Sequence, residues 1–521
     1  MPDKAMEAKE YELVVFSPND PEDPVNWRLR RKLFVTASIC ILSFCAVFGS
    51  SAYAPGQQQL GEEYGVGVVT TSAGLSLYVL GFGTGPLICG PMSELYGRKL
   101  PYTLAWPLMI ASIAPSAFAD NIAVILLFRF FTGCCAACAL NNGSGLITDM
   151  FHNDIHAQSR AIIWYSFCPL SGPCFGSLVG FFVAAVSQGR ALWVVRVHFY
   201  FAIAVWPLVF LLPETHGPTV LLYRARALRK EGHATARAPQ ELHPTSKQQL
   251  IQKNILRPTQ MLFYEPINQG AAIWISLAYG IIYFFFEAYP VVFIEQHHIP
   301  FRLCGLLFIP IPIGMVLVTA PYSQLTRLFA RLPLPGIERK DGVLHPAESR
   351  LKLVLSACVL LPISLFWFAW TSGPETHWIA PALAGIAFGY SMMAIFMCFL
   401  AYVAQIYTIY ASSAVACNTF ARSIIACIFP VAAHSILDSM GTKWGVSLFG
   451  FLSLGLIPIP LIFIRYGEQL RQKSHFAKEA KAILAGLRQK PGLLEEKTQV
   501  EQVAEVEVEM DNEKRETGSY V

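Results

Sequence analysis

Apolar runs of about twenty residues recur along this chain, each followed by a polar turn. An α-helix needs ~20 residues to cross the ~30 Å hydrocarbon core of a bilayer. Runs of that kind lie at 33–53, 70–89, 101–119, 122–148, 161–186, 192–212, 267–289, 303–324, 351–370, 378–406, 411–436 and 445–465. We number them spans 1 to 12. Several exceed twenty residues, and tilt accommodates the excess. The pattern predicts an all-α membrane protein with twelve transmembrane helices.

The polar intervals divide the chain further. The longest, about Pro213 to Glu265, leaves six spans on each side. The expected organisation is a tail at 1–32, a six-helix bundle at 33–212, a central loop at 213–266, a second six-helix bundle at 267–466 and a tail at 467–521. Within the central loop, Pro218 suits a first helical position. Leu221, Leu222, Ala225 and Leu228 share one face there, while Arg226, Arg229 and Lys230 face water and headgroups. Residues 474–490 predict a short basic helix, and the Glu-rich stretch 491–521 predicts disorder.

Charge gives the orientation. Arg28, Arg30, Arg31 and Lys32 stand just before span 1 and hold the N-terminus in the cytosol. The loops on that side carry Arg98, Lys99, Arg160, Arg327, Arg331, Arg339, Lys340, Arg350 and Lys352. The other side carries little beyond Arg190, Arg302 and Lys443, with Glu62, Glu63, Asp120 and Glu375 among its acids. Both termini are therefore expected to be cytosolic. The first residues lack a basic stretch followed by a short apolar core, so a cleaved signal peptide is not expected.

Composition agrees: 54% of residues are hydrophobic and 14% charged, against about 45–50% and about 25% in soluble domains. Mean hydropathy is +0.45. The net charge of +4 is too small to imply a nucleic-acid partner. All 13 cysteines lie in or beside apolar stretches, so a disulfide framework is not expected. Cys135 and Cys138 form a C-x-x-C, but no second Cys/His pair lies nearby, and helix packing explains them better than a metal.

The turn between spans 2 and 3 reads Gly90-Pro91-Met92-Ser93-Glu94-Leu95-Tyr96-Gly97-Arg98-Lys99. Gly90-Pro91 is expected to end span 2, because proline supplies no N–H and its ring clashes with the preceding turn. Gly97 can take a positive φ. This string resembles the loop between helices 2 and 3 of the major facilitator superfamily, with Glu94 where Asp is commoner. Other strings resemble the fungal drug:proton antiporter branch. They include Asp20-Pro-Glu-Asp-Pro-Val-Asn-Trp27, Pro213-Glu-Thr, Tyr279 to Pro290 in span 7, Pro346-Ala-Glu-Ser-Arg-Leu351 and Pro458 to Gly467. The resemblance runs from about residue 20 to about 475. It implies the major facilitator fold, two six-helix bundles with alternating access about a midplane site.

Buried charges are the first functional candidates, since a charge in lipid is expensive. Arg129 in Arg129-Phe-Phe-Thr-Gly133 resembles the helix 4 arginine linked to proton coupling; the alternatives are that it snorkels to the outer headgroups or is paired structurally. Glu287, in the outer part of span 7, is either desolvated and able to load a proton or solvated near the interface. Arg422 in span 11 is a third candidate, with coupling, packing or counter-charge roles open. Gly172-Pro173-x-x-Gly176-x-x-x-Gly180 resembles the antiporter helix 5 motif, with Cys168 and Ser177 departing from it. Tyr402-Val-Ala-Gln405 lacks the family's Asp, so no proton site is expected there.

The turn is expected to latch the two halves in the outward-open state, because free N–H groups at a helix start favour an anion. Glu94 would face the start of span 11 near Ala411 to Ser413, and Arg98 would pair with Asp149. A cavity for a bulky, mostly apolar substrate would include Asn141, Asn142, Tyr279, Tyr283, Tyr390, Phe396 and Asn418.

The expected activity is export of small, largely apolar organic molecules, a drug, toxin or secondary metabolite, by proton antiport. The alternatives are a proton-coupled importer, a polyamine exporter or a sensor that binds without transporting. A membrane enzyme is not expected, because His198 and His434 stand isolated in the sequence. No P-loop is present, so the proton gradient rather than ATP or a cofactor is expected to drive the cycle. Expected partners are the substrate, protons and the lipid bilayer, for a monomer in the plasma membrane or the vacuole; no metal site is expected.

Overall fold

The structure is a computed structural model that describes residues 12–187, 191–242, 252–332, 348 and 350–489. Residues 1–11 of the N-terminal tail, the basic positions Arg190, Arg339 and Lys340, the string Pro346, Ala347 and Ser349, and the Glu-rich stretch 491–521 lie outside the described residues.

Among the described residues, nine helical stretches are long and apolar enough to cross a membrane. The last, Ile379–Lys473, is broken three times, the third time at Ile457 before Pro458. Thr408, at φ 41°, separates Ile379–Tyr407 from Ala411–Leu456, and Gly441, at φ 70° and ψ 171°, interrupts the latter. Span 3, Lys99–Phe118, is helical through Pro107 and Pro115 but falls outside the nine.

Proline sets several internal breaks. Pro86, Pro207, Pro310 and Pro458 each occupy the first helical position of a new segment, where a missing N–H costs nothing. Span 2 thus consists of Val68–Thr84 and Pro86–Leu95. This corrects the expected end at Gly90-Pro91: the helix continues through Pro91 to Leu95. Membrane helices tolerate an internal proline because neighbouring groups re-satisfy the freed backbone.

Span 7, Pro266–Pro290, runs into a π-helical turn at Val291–Gln296. In its eighteen-residue apolar window 83% of residues are buried, the highest share among the nine described stretches. Its polar groups are therefore held by other helices rather than by lipid. Span 5, Ile155–Val186, lies against span 1, Leu29–Ser51. Span 2 packs closely on span 4, Ile122–Phe151, where a Cβ on Gly133 would strike the Tyr78 carbonyl.

The described segments nearest each terminus are tied to other parts of the chain. The strand Glu12–Leu13 pairs in parallel with Ala236–Arg237 of the central segment. The Arg224 guanidinium meets Asp20 at 2.6 Å. Helix His475–Gln489 docks where Glu265 accepts from the Phe476 N–H and the Tyr407 hydroxyl.

The central helix, Gly217–Lys230, buries Leu221 and Ala225 against Val14, Ala236 and Ala238, with Leu222 and Leu228 packed alongside. Its apolar face is thus covered by the chain's own N-terminal segment rather than by headgroups. Lys352 also departs from expectation. It is buried and donates to the Ala330 and Leu332 carbonyls, closing the end of helix Tyr322–Arg331.

Candidate functional site

The end of the bundle away from the termini holds a polar network between the two halves of the chain. Span 1 continues past Tyr53 into helix Gln57–Tyr64, which carries Gln57 inward. The Gln57 Nε2 donates to Glu287 Oε1 at 3.0 Å. The other carboxylate oxygen, Oε2, lies 3.3 Å from His434 Nε2. Ser72 Oγ joins the ring, 2.8 Å from Gln57 Oε1 and 2.9 Å from His434 Nε2. Glu287 is buried, so its charge is compensated by these partners rather than by solvent. The expected alternative of a solvated carboxyl does not hold. His434 is also not isolated, as its position in the sequence suggested.

Arg129 sits two turns into span 4, fully inside the protein. Its Nε donates to the Gly74 carbonyl at 2.6 Å, and Nη2 donates to Ser50 at 2.9 Å and Gly49 at 3.3 Å. The rings of Tyr53 and Tyr78 lie 4.2 and 4.8 Å from the guanidinium carbon. Snorkelling to headgroups is therefore excluded. The planar fork instead collects helix carbonyls of spans 1 and 2, which a point charge could not do as well.

Deeper in the second half, Arg422 is buried between the rings of Tyr279 and Phe396, at 4.6 and 5.3 Å. Its Nε has no hydrogen-bond partner. One turn away, Asn418 Nδ2 donates to Asn268 Oδ1 at 2.7 Å and to Ala414, while its own Oδ1 is unpartnered. The Tyr279 hydroxyl lies 3.3 Å from that of Tyr283, which reaches Ser50 of span 1 at 3.2 Å.

The turn between spans 2 and 3 is an ion-pair cluster. Arg98 Nε donates to Asp149 Oδ2 at 3.1 Å, as expected. Gly97 takes φ 91°, and a Cβ there would strike Glu214. Glu214 of the central connector accepts from the backbone N–H of Arg98 at 2.8 Å and of Lys99 at 3.1 Å. The string Pro213-Glu-Thr was the signal for it, since Thr215 also donates to Asp149. Gly90 and Glu94 lie in the last two turns of Pro86–Leu95.

Gly172, Gly176 and Gly180 all face span 1. Added Cβ atoms would meet Phe44 O at 3.2 Å, then Ser51 and Phe48, then the Ala52 carbonyl at 2.5 Å. Ser51 Oγ donates to the Pro173 carbonyl at 2.6 Å. The predicted cavity residues do not all converge. Tyr279, Tyr283, Phe396 and Asn418 gather around Arg422. Asn141 and Asn142 bond within their own helix, to Ala137 O and Cys138 Sγ. Tyr390 lines a separate apolar cavity of about 320 Å³ with Leu317, Leu360, Trp367, Leu383, Ile386 and Ala387. The cavity assignment of Tyr390 is thereby corrected: its helix turns it away from Arg422, toward half-exposed Trp367 and Leu383.

Comparison with known proteins places these features in a family. The Major Facilitator Superfamily model matches residues 39–430. The chain is 37% identical over 464 residues to the citrinin biosynthesis cluster MFS transporter mrr1 of Monascus ruber, covering 88% of this chain and 91% of that one. It is 33% identical to the multidrug transporter mdrA of Aspergillus fumigatus, covering 91% and 77%. It is 35% identical to the multidrug transporter TPO1_1 of Candida glabrata, covering 90% and 81%. The proton:xylose symporter XylE shares the fold, with a TM-score of 0.59 at 14% identity over 84% of this chain and 97% of that one. The chain is a multi-pass membrane transporter belonging to the major facilitator superfamily, and the relatives named above are fungal multidrug and biosynthesis-cluster transporters.

Proposed function

We propose that this protein exports small, largely apolar organic molecules from the cytosol by proton antiport. The protein crosses the membrane twelve times as a monomer of two six-helix bundles with cytosolic termini, in the plasma membrane or, alternatively, the vacuole. No cofactor takes part; inward proton flow supplies the drive. The names of the relatives support export, and one observation carries the coupling. Glu287 and His434 of the second half meet Gln57 and Ser72 of the first in a buried ring.

That ring links protonation to separation of the halves. With Glu287 ionised, the Gln57 amide and the His434 imidazole both hold its carboxylate, and the end away from the termini stays shut. A proton arriving from that side neutralises the carboxylate and weakens both charge-assisted bonds. The halves then part there, by rigid-body rocking about a midplane site. Substrate leaves, and the proton is released once the termini end opens. In this reading Arg98, Asp149 and Glu214 brace the cytosolic turn, and Glu94 meets the start of span 11 in the opposite state. Arg129 holds spans 1 and 2 in register beside the ring.

The test is flux in proteoliposomes under an imposed pH gradient. Wild-type protein is expected to accumulate a fluorescent drug against its gradient. Glu287→Gln is expected to keep drug exchange at equilibrium but lose gradient-driven accumulation. Full accumulation by that variant would remove Glu287 from the coupling step. Accumulation on the opposite side would favour the importer.

A further inference from the structure

Among the described residues, Arg422 has no counter-ion. It is 7% exposed, and its Nε reaches no acceptor. Among the described residues no carboxylate lies within ion-pair distance of it. Glu287, the acid inside span 7, is committed to Gln57 and His434. Among the described residues, the ring faces of Tyr279 and Phe396 meet the guanidinium. Arg129 shows the contrast: equally buried, it is saturated by the carbonyls of Gly49, Ser50 and Gly74. A buried charge is normally paired or fully hydrogen-bonded, because desolvation otherwise goes uncompensated.

Depth points the same way. Span 11 starts at Ala411, so Arg422 lies roughly 16 Å along it at 1.5 Å per residue. That is about the midplane of a ~30 Å core, where transporters of this architecture bind their cargo. One turn nearer the termini, Asn418 is 1% exposed and its Oδ1 is unpartnered. An unfilled donor and an unfilled acceptor thus stand side by side, flanked by aromatic rings.

We propose that Arg422 and Asn418 form the recognition site for an organic anion. The cargo is an aromatic or otherwise planar acid that carries a hydrogen-bond donor beside its carboxylate. The carboxylate pairs with the guanidinium and the neighbouring O–H donates to Asn418 Oδ1. The planar body lies among Tyr279, Tyr283 and Phe396. This assignment rests on the export reading and narrows it, since a polyamine would meet a like charge at this depth.

The experiment uses purified full-length protein in detergent and radiolabelled probes. 2-Hydroxybenzoate carries the two features, 2-hydroxybenzamide lacks the charge, and spermidine has the opposite charge. Wild type is expected to bind the benzoate at least about tenfold more tightly than the amide, the factor one charge-assisted bond supplies. Arg422→Gln is expected to lose that preference, its affinities for benzoate and amide converging, and Arg422→Lys is expected to recover part of it. Equal binding of benzoate and amide by wild type overturns the proposal. So does tighter binding of spermidine, displacement of the benzoate by millimolar chloride, or absence of binding by every probe. If Arg422→Gln does not fold, the wild-type preference and the lysine variant decide. Anion preference without proton-driven flux would end the export reading and leave this site standing. Proton-driven flux without anion preference would do the reverse.

Discussion

Gln57 and Glu287 are 230 residues apart in the chain and 3.0 Å apart in space. One belongs to the helix that follows span 1, the other to span 7, so their hydrogen bond joins the two halves. Replacing Gln57 by Leu removes the donor and leaves a buried carboxylate lone pair unmet, at a cost of about 1–3 kcal/mol. The closed end is expected to open more often. Ser72→Cys in that background should react faster with an impermeant maleimide than Ser72→Cys alone; an unchanged rate would mean the bond does not hold the halves.

Arg129 is expected to resist even conservative change. Lysine keeps the charge but cannot reach the Gly74, Gly49 and Ser50 carbonyls together between two tyrosine rings. Arg129→Lys should destabilise the protein by roughly 2–4 kcal/mol and lower its melting temperature in detergent. A melting temperature equal to wild type would show that the carbonyl contacts contribute little.

At the turn between spans 2 and 3, Arg98→Glu places a third acid beside Asp149 and Glu214. We expect normal expression and membrane insertion with transport abolished, measured as drug efflux from intact cells. Gly97→Ala is expected to weaken the same turn through its φ of 91° and the encounter with Glu214. Full efflux in Arg98→Glu would remove the turn from the transport cycle.

The docking of the N-terminal strand should respond to acid. Arg229, bidentate to Glu241, and the backbone N–H of Ala238 hold the Glu241 carboxyl down at about 2, from an ordinary 4.5. The backbone N–H of Glu22 and the Arg224 guanidinium hold Asp20 below its ordinary 3.8. Both folded values are depressed, so this support is fully present above pH ~4.5 and is lost as pH falls toward ~2. Hydrogen exchange at Val14, whose N–H bonds to Arg237, is expected to stay slow down to about pH 4.5 and to rise below it. Arg229→Ala should lower protection of Val14 already above pH ~4.5 and flatten its fall between pH ~4.5 and ~2. A wild-type profile in that variant would detach the strand's docking from Glu241.

Much of this was readable from the sequence by itself. Apolar run length marked the membrane helices, because the backbone in lipid must satisfy its own hydrogen bonds and does so as helix. Gly97 with Arg98 marked the turn, and the pairing of Arg98 with Asp149 came with the family resemblance. Where helices break was only partly legible, since Pro91 sits inside a helix while Pro86 begins one. Tertiary structure alone decided which charges found partners. Arg129 and Arg422 look alike in sequence, each a lone arginine in an apolar run. Packing surrounds the first with carbonyls and the second with rings. His434 seemed isolated because its partner Glu287 lies on another helix. Helical periodicity reports which residues share a face; it carries no information about which face of a distant helix will lie opposite, and that opposition is what compensates a charge away from water.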